Sequence, residues 1–124
     1  GGFSVLKDVY KTLAYSLSDY RNSLEAVIPE RVIQRPPSAE LTPNQCDQDD
    51  LPPYSILDPI LKGYIEHYQD DTQLIAQGHD PDIVRSTIKK IKKNEHKRQQ
   101  AAIGVRITSR AFGKDWRVPV TCRY

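Results

Sequence analysis

These 124 residues contain no methionine, two cysteines, two phenylalanines and one tryptophan. Two cysteines, Cys46 and Cys122, are too few for a disulfide framework, so a reducing, cytoplasmic setting is expected. Neither has a second Cys or His at ligand spacing, so no metal site is expected from this chain. No apolar run approaches the roughly 18 residues that span a bilayer, and no signal-peptide pattern is present, so no membrane partner is expected. A P-loop and a dinucleotide-fold glycine signature are also missing. The apolar content of 38% and mean hydropathy of -0.62 are lean for one modest domain with its own core. Either the loops are long, or part of the apolar surface is covered by something else. The start at Gly1-Gly2-Phe3 fits a fragment or a cloning boundary.

What is present is unevenly spread. The net charge is only +2. Residues 83–124 nevertheless carry twelve basic and two acidic side chains, a net of +10, and residues 1–82 a net of -8. An acidic front and a basic tail can neutralise each other in one fold, or the tail can hold phosphates. Solvated helix faces are the commoner reading of such runs, so charge alone decides nothing.

The pattern along the chain is mainly helical. Val5, Leu6, Val9, Leu13, Leu17 and Tyr20 recur at three- and four-residue steps, which predicts an amphipathic helix over 4–22 with Ser4 as N-cap. Lys7 and Lys11 then lie four apart on one face, where like charges repel mildly unless an anion is near. Val27, Ile28, Val32 and Ile33 suggest a further small helix or an extended anchor. Residues 35–58 hold five of the nine prolines and five acids. Proline removes a backbone donor and forces its predecessor extended, so a long loop is expected there. Structureless loops of about 15 residues or more are usually functional or disordered, and composition leaves both open. Inside it, Ser38 to Leu41 after Pro37 reads as a helical turn with outward N–H groups, an anion-binding arrangement or a simple turn.

A second amphipathic helix is predicted over 55–68, with an apolar face from Ile56 to Tyr68 and Pro59 tolerable near its first turn. A short helix, Asp71–Ala76, should be closed by Gln77-Gly78. Asp80-Pro81-Asp82 then supplies a cap, a proline at the first helical position and an acid in the first turn. Ile83, Val84, Thr87, Ile88 and Ile91 form the buried stripe of the helix it opens; Arg85, Lys89, Lys90, Lys92 and Lys93 face away. Asn94 closes it or caps a following helix containing Glu95, His96 and Lys97. Beyond Gly104 an irregular, partly extended tail is expected, pinned to the surface by Phe112 and Trp116.

No nucleophile–base pair stands out: Ser38 has no histidine nearby in sequence, and Cys46 sits among acids with no base beside it. The basic residues of the tail are not interleaved with several aromatics, which argues against single-strand nucleic-acid binding. The cationic elements could face phosphates, while the acids could bind magnesium or a cationic ring.

Three stretches carry a resemblance: GGFSVLKDVYKTLAYSLSDYRN, RPPSAELTPNQCDQDDLPPYSILDPIL and NEHKRQQAAIGVRITSRAFGKDWRVP. In that order they resemble the C-terminal part of glutamine-dependent NAD synthetases, of the N-type ATP pyrophosphatase class. PSAEL, DQDDLPPY and EHKRQ are the specific pieces. The resemblance implies a fragment of an α/β adenine-nucleotide α-hydrolase-like fold: residues 1–124 as the C-terminal segment of the ammonia-ligase domain, with 35–58 as a loop closing over substrate. It implies an ATP-dependent amide ligase that adenylates deamido-NAD and lets ammonia from glutamine displace AMP. ATP and magnesium serve the complete enzyme, which is expected to be cytoplasmic and dimeric. Lys7 and Ser38 are implied at the ATP phosphates and in catalysis. Asp47, Asp50, His96 and Lys97 are implied at deamido-NAD. The phosphate-loop core, the preceding magnesium and ring contacts and the glutaminase domain are absent here. The segment alone is therefore expected to be inactive and to self-associate through surface left bare. The competing reading is a helical nucleic-acid-binding module with a basic C-terminal tail.

Overall fold

The computed structural model describes residues 2–38, 45–47, 50–113 and 115–121. Among the described residues there are six helices: α1 (Lys11–Leu24), α2 (Glu30–Gln34), α3 (Tyr54–Ile65), α4 (Asp71–Ala76), α5 (Pro81–Lys93) and α6 (Glu95–Gln100). No strand occurs among the described residues; a single parallel bridge joins Phe3 and Ile103. The chain divides into two compact units, residues 1–9 with 59–124, and residues 10–58; the division falls inside α3.

The first unit holds the core. Ile60, Leu74 and Val84 are fully enclosed, with Tyr64, Ile75, Ile83 and Ile88 packed around them. A second cluster joins Ile65, Ile91 and Trp116, flanked by Leu61, Phe112 and Val118. The stripe expected of α5 is the one it buries: Val84, Thr87 and Ile91 face inward. Its start is as local chemistry dictates, Asp80 Oδ1 accepting from the N–H groups of Asp82 and Ile83 with Pro81 at the first position. α4 opens on a reciprocal capping box between Asp70 and Gln73 and closes at Gln77, followed by Gly78 at φ 95°.

Two helix boundaries differ from the sequence expectation. α1 begins at Lys11, with Ser4 outside it and residues 5–8 in a turn. Residues 3–8 are instead used by the far end of the chain: Ser4 N–H donates to Ile103 O at 2.8 Å, and the Asp8 carboxylate accepts from Ile107 and Thr108. Lys7 and Lys11 therefore do not share a helix face. The predicted apolar stripe is not buried in α1, where Leu13, Leu17 and Tyr20 are all exposed. α3 ends at Ile65 rather than at residue 68, because Tyr68 turns to φ 58° and is solvent-exposed.

The tail differs as well. Trp116 does not pin the tail to the surface; it lies inside the second cluster, its ring edge-on to Tyr64 at 5.5 Å. The return of the tail brings backbone against backbone at Gly104. A Cβ there would stand 2.3 Å from Ser4 O and 2.8 Å from Lys7 Cβ. Gly104→Ala should therefore cost about 1–2 kcal/mol through overpacking, read as a lowered midpoint in urea. An unchanged midpoint would mean that the two strands of chain separate freely there.

Candidate functional site

In the second unit, the described residues between α2 and α3 are tied together by Asp47. Its N–H donates to Pro37 O at 2.8 Å, its carbonyl accepts from Asp50 and Leu51, and its carboxylate accepts from the Tyr54 hydroxyl at 2.5 Å. Burial pushes the Tyr54 phenol well above its ordinary range, and the Asp47 hydrogen bond and charge push the same way. The Lys11 ammonium lies 5.9 Å from the centre of the Tyr54 ring. Ser38 is half-buried and Asp50 exposed. The rest of the Ser38–Leu41 turn, like Cys122, lies outside the described residues. Ser38, Asp47 and Asp50 thus belong to the second unit, and Asp47 already holds its own loop.

Lys7, His96 and Lys97 belong to the first unit. The Lys7 ammonium donates to Ala102 O at 2.5 Å and Ala101 O at 3.4 Å, the carbonyls that follow α6. A cation at that end is favoured by the helix dipole. Two of its three N–H groups are thereby engaged. Beside it is a cavity of about 150 Å³ lined by Lys7, Asp8, Gly104, Arg106, Gly113 and Asp115. Asp8 Oδ2 accepts from Ile107 N–H, Thr108 N–H and the Thr108 hydroxyl at 2.7–2.8 Å. Burial alone would raise the Asp8 carboxyl, but those donors hold it below the ordinary carboxylate value. Asp8, Gly104 and Gly113 were not singled out from the sequence, because their partners lie about a hundred residues away.

His96 and Lys97 are exposed on α6, while Glu95 on the same helix is 1% exposed. The Glu95 carboxylate receives Arg98 one turn on and Arg117 of the tail, the latter at 3.5 Å. Burial raises the Glu95 carboxyl, yet the Arg98 hydrogen bond and charge outweigh it and hold it low. The Arg98 guanidinium lies over Phe112 at 4.3 Å and over Trp116 at 4.7 Å. Opposite charges at Glu95 and Arg98 were visible as an i,i+3 pair; Arg117 and the two rings were not.

The described tail arginines are turned to the fold. Arg106 pairs with Asp115 at 3.2 Å, Arg110 donates to Ile65 O and covers the Tyr68 ring, and Arg117 reaches Glu95. A basic tail committed in this way does not favour a nucleic-acid module. Among the described residues no three His, Cys, Asp or Glu side chains gather as metal donors, and no helix is long and apolar enough to cross a membrane.

The chain is 60% identical over all 124 residues to the glutamine-dependent NAD(+) synthetase of Aquifex aeolicus, covering 100% of this chain and 22% of the relative. It is 57% identical to that of Acinetobacter baylyi over 97% of this chain and 23% of the relative. A solved structure, glutamine-dependent NAD+ synthetase from Acinetobacter baumannii in complex with adenosine diphosphate, matches with a TM-score of 0.55 and 48% identity, over 97% of this chain and 20% of that one. The chain thus spans about a fifth of the length of these relatives. The NAD synthase family model matches residues 1–101, and the chain belongs to that family.

Proposed function

We propose that this chain is the C-terminal segment of the ligase domain of a glutamine-dependent NAD synthetase, and that it supplies substrate contacts rather than the nucleotide-binding core. The observation carrying this reading is the 60% identity to the A. aeolicus enzyme along the whole chain. In the complete, cytoplasmic and dimeric enzyme, ATP with magnesium activates the nicotinate carboxylate of deamido-NAD as an adenylate. Ammonia released from glutamine then displaces AMP.

The roles fall to this chain's own residues. His96 and Lys97, exposed on α6, meet deamido-NAD, the lysine as a point charge toward a phosphate. Lys7 offers its ammonium, and Ser38 its hydroxyl, to the ATP phosphates, where charge builds on the leaving pyrophosphate. Asp50 and Asp47 belong to the loop that closes over the ring portion of deamido-NAD; Asp47 acts while fastened to Tyr54.

The test is to graft residues 1–124 into the A. aeolicus enzyme in place of the matching stretch and assay NAD formation. A folded but inactive graft would refute the reading. Within an active graft, Lys97→Ala should raise KM for deamido-NAD about tenfold, the loss of roughly one charged hydrogen bond. An unchanged KM would remove Lys97 from the site.

A further inference from the structure

α6 has only six residues, and helices shorter than about 12–15 residues are marginal on their own. Its direction is therefore set by what holds it. Two separate fastenings do so, and both reach outside the helix. At its C-terminal end Ala101 O and Ala102 O take the Lys7 ammonium. Along its inward edge Glu95 and Arg98, one turn apart, are gripped by Arg117, Phe112 and Trp116. Successive helical residues turn by about 100°, so an inward Glu95 and Arg98 oblige His96 and Lys97 to leave the buried face. Both are exposed.

The inward grip uses charge where apolar packing would serve stability better. Arg98 has a side chain only 10% exposed, and its Nε and Nη1 are buried without a hydrogen-bond partner. Unpartnered buried donors are costly, and buried ion pairs are often no better for stability than apolar replacements. One carboxylate faces two guanidinium groups, so the cluster keeps a net positive charge beside Lys97. A fastening built only for stability has no use for that excess. A phosphate-bearing ligand held next to it does. The gripping residues also lie beyond residue 101, where the family model stops, although the full-length match to the A. aeolicus relative continues through them.

We propose that Trp116 and Arg117 are positioning residues for deamido-NAD: through Arg98 and Glu95 they fix the direction in which α6 presents His96 and Lys97. This rests on the reading of α6 as a substrate-contacting helix. It assigns the tail a specific task in substrate affinity, distinct from the chemistry of adenylation.

The test uses the active graft described above. Arg117→Ala should raise KM for deamido-NAD about tenfold, with kcat and KM for ATP within about twofold; Arg117→Lys should recover most of the loss. If Arg117→Ala does not fold, Arg117→Gln is read in the same way. Because the effect passes through His96 and Lys97, adding Arg117→Ala to the variant His96→Ala/Lys97→Ala should cause no further loss. Emission of Trp116, the sole tryptophan of the chain, shows in the isolated chain whether its ring stays buried in each variant. If Lys97→Ala raises KM but Arg117→Ala does not, the positioning role is overturned and the site reading stands. A further multiplicative loss in that triple variant, or a fall in kcat at constant KM, also overturns it. If Lys97→Ala itself leaves KM unchanged, the site reading fails first.

Discussion

Glu95→Ala is expected to lower the unfolding free energy by about 3–5 kcal/mol, the range for removing one member of a buried ion pair. The side chain is 1% exposed and takes two guanidinium groups. Arg117 is partly exposed and can turn to water when its acceptor is gone. Arg98, only 10% exposed and packed against two rings, cannot. The cost is therefore that of leaving Arg98 charged and unpaired. Replacing Glu95 and Arg98 together by apolar residues of similar size should recover most of the loss, because the stranded charge goes with its partner. Denaturant unfolding of single and double variants gives the comparison; a single-variant loss below about 1 kcal/mol would contradict it.

The same site makes an acid dependence. The Glu95 carboxyl is held below its ordinary value of 4.5, so the folded state binds its proton later than the unfolded chain does. Its contribution is complete above about pH 4.5 and is lost as pH falls through the lower, folded value. Asp8, held below 3.8, loses its contribution in the same direction. The stability gap between the native chain and Glu95→Ala should accordingly be widest near neutrality and narrow below pH 4.5.

Asp58→Ala is the second large effect expected, about 2–3 kcal/mol. α1 begins at Lys11, its N-cap residue Tyr10 makes no side-chain cap hydrogen bond, and there is no acid in the first turn. Asp58, 6% exposed, takes over that task from 46 residues away. Its Oδ2 accepts from the Thr12 N–H and the Thr12 hydroxyl, each at 2.8 Å. Removing the carboxylate orphans two donors at once. Asp58→Asn, which keeps an oxygen there, should retain roughly half of the interaction. Hydrogen exchange at the Thr12 amide reports the change directly; protection as strong in Asp58→Ala as in the native chain would show that α1 is capped by something else.

The parts legible in the sequence are those whose signals are short-range. Asp80-Pro81 and the three- and four-residue spacing from Ile83 to Ile91 specify where α5 starts and which edge it buries. The Asp70–Gln73 box and Gly78 bound α4 in the same way. The resemblance pointed to a family that the full-length matches bear out. The long-range uses of single polar groups could not be read. Lys7, Asp8 and Asp58 look like ordinary surface charges, yet each is taken by backbone or hydroxyl partners far along the chain.

The α5 stripe and the caps of α4 and α5 were thus settled by sequence, because hydrophobic period and capping act within one or two turns; the family came from the resemblance of three stretches and not from any such pattern. The start of α1, the burial of Trp116 and the outward turn of His96 and Lys97 were decided only by tertiary structure. Each depends on donors and acceptors brought together from separated segments. A buried polar group must find a partner wherever the fold supplies one, and no local pattern records which residue that will be.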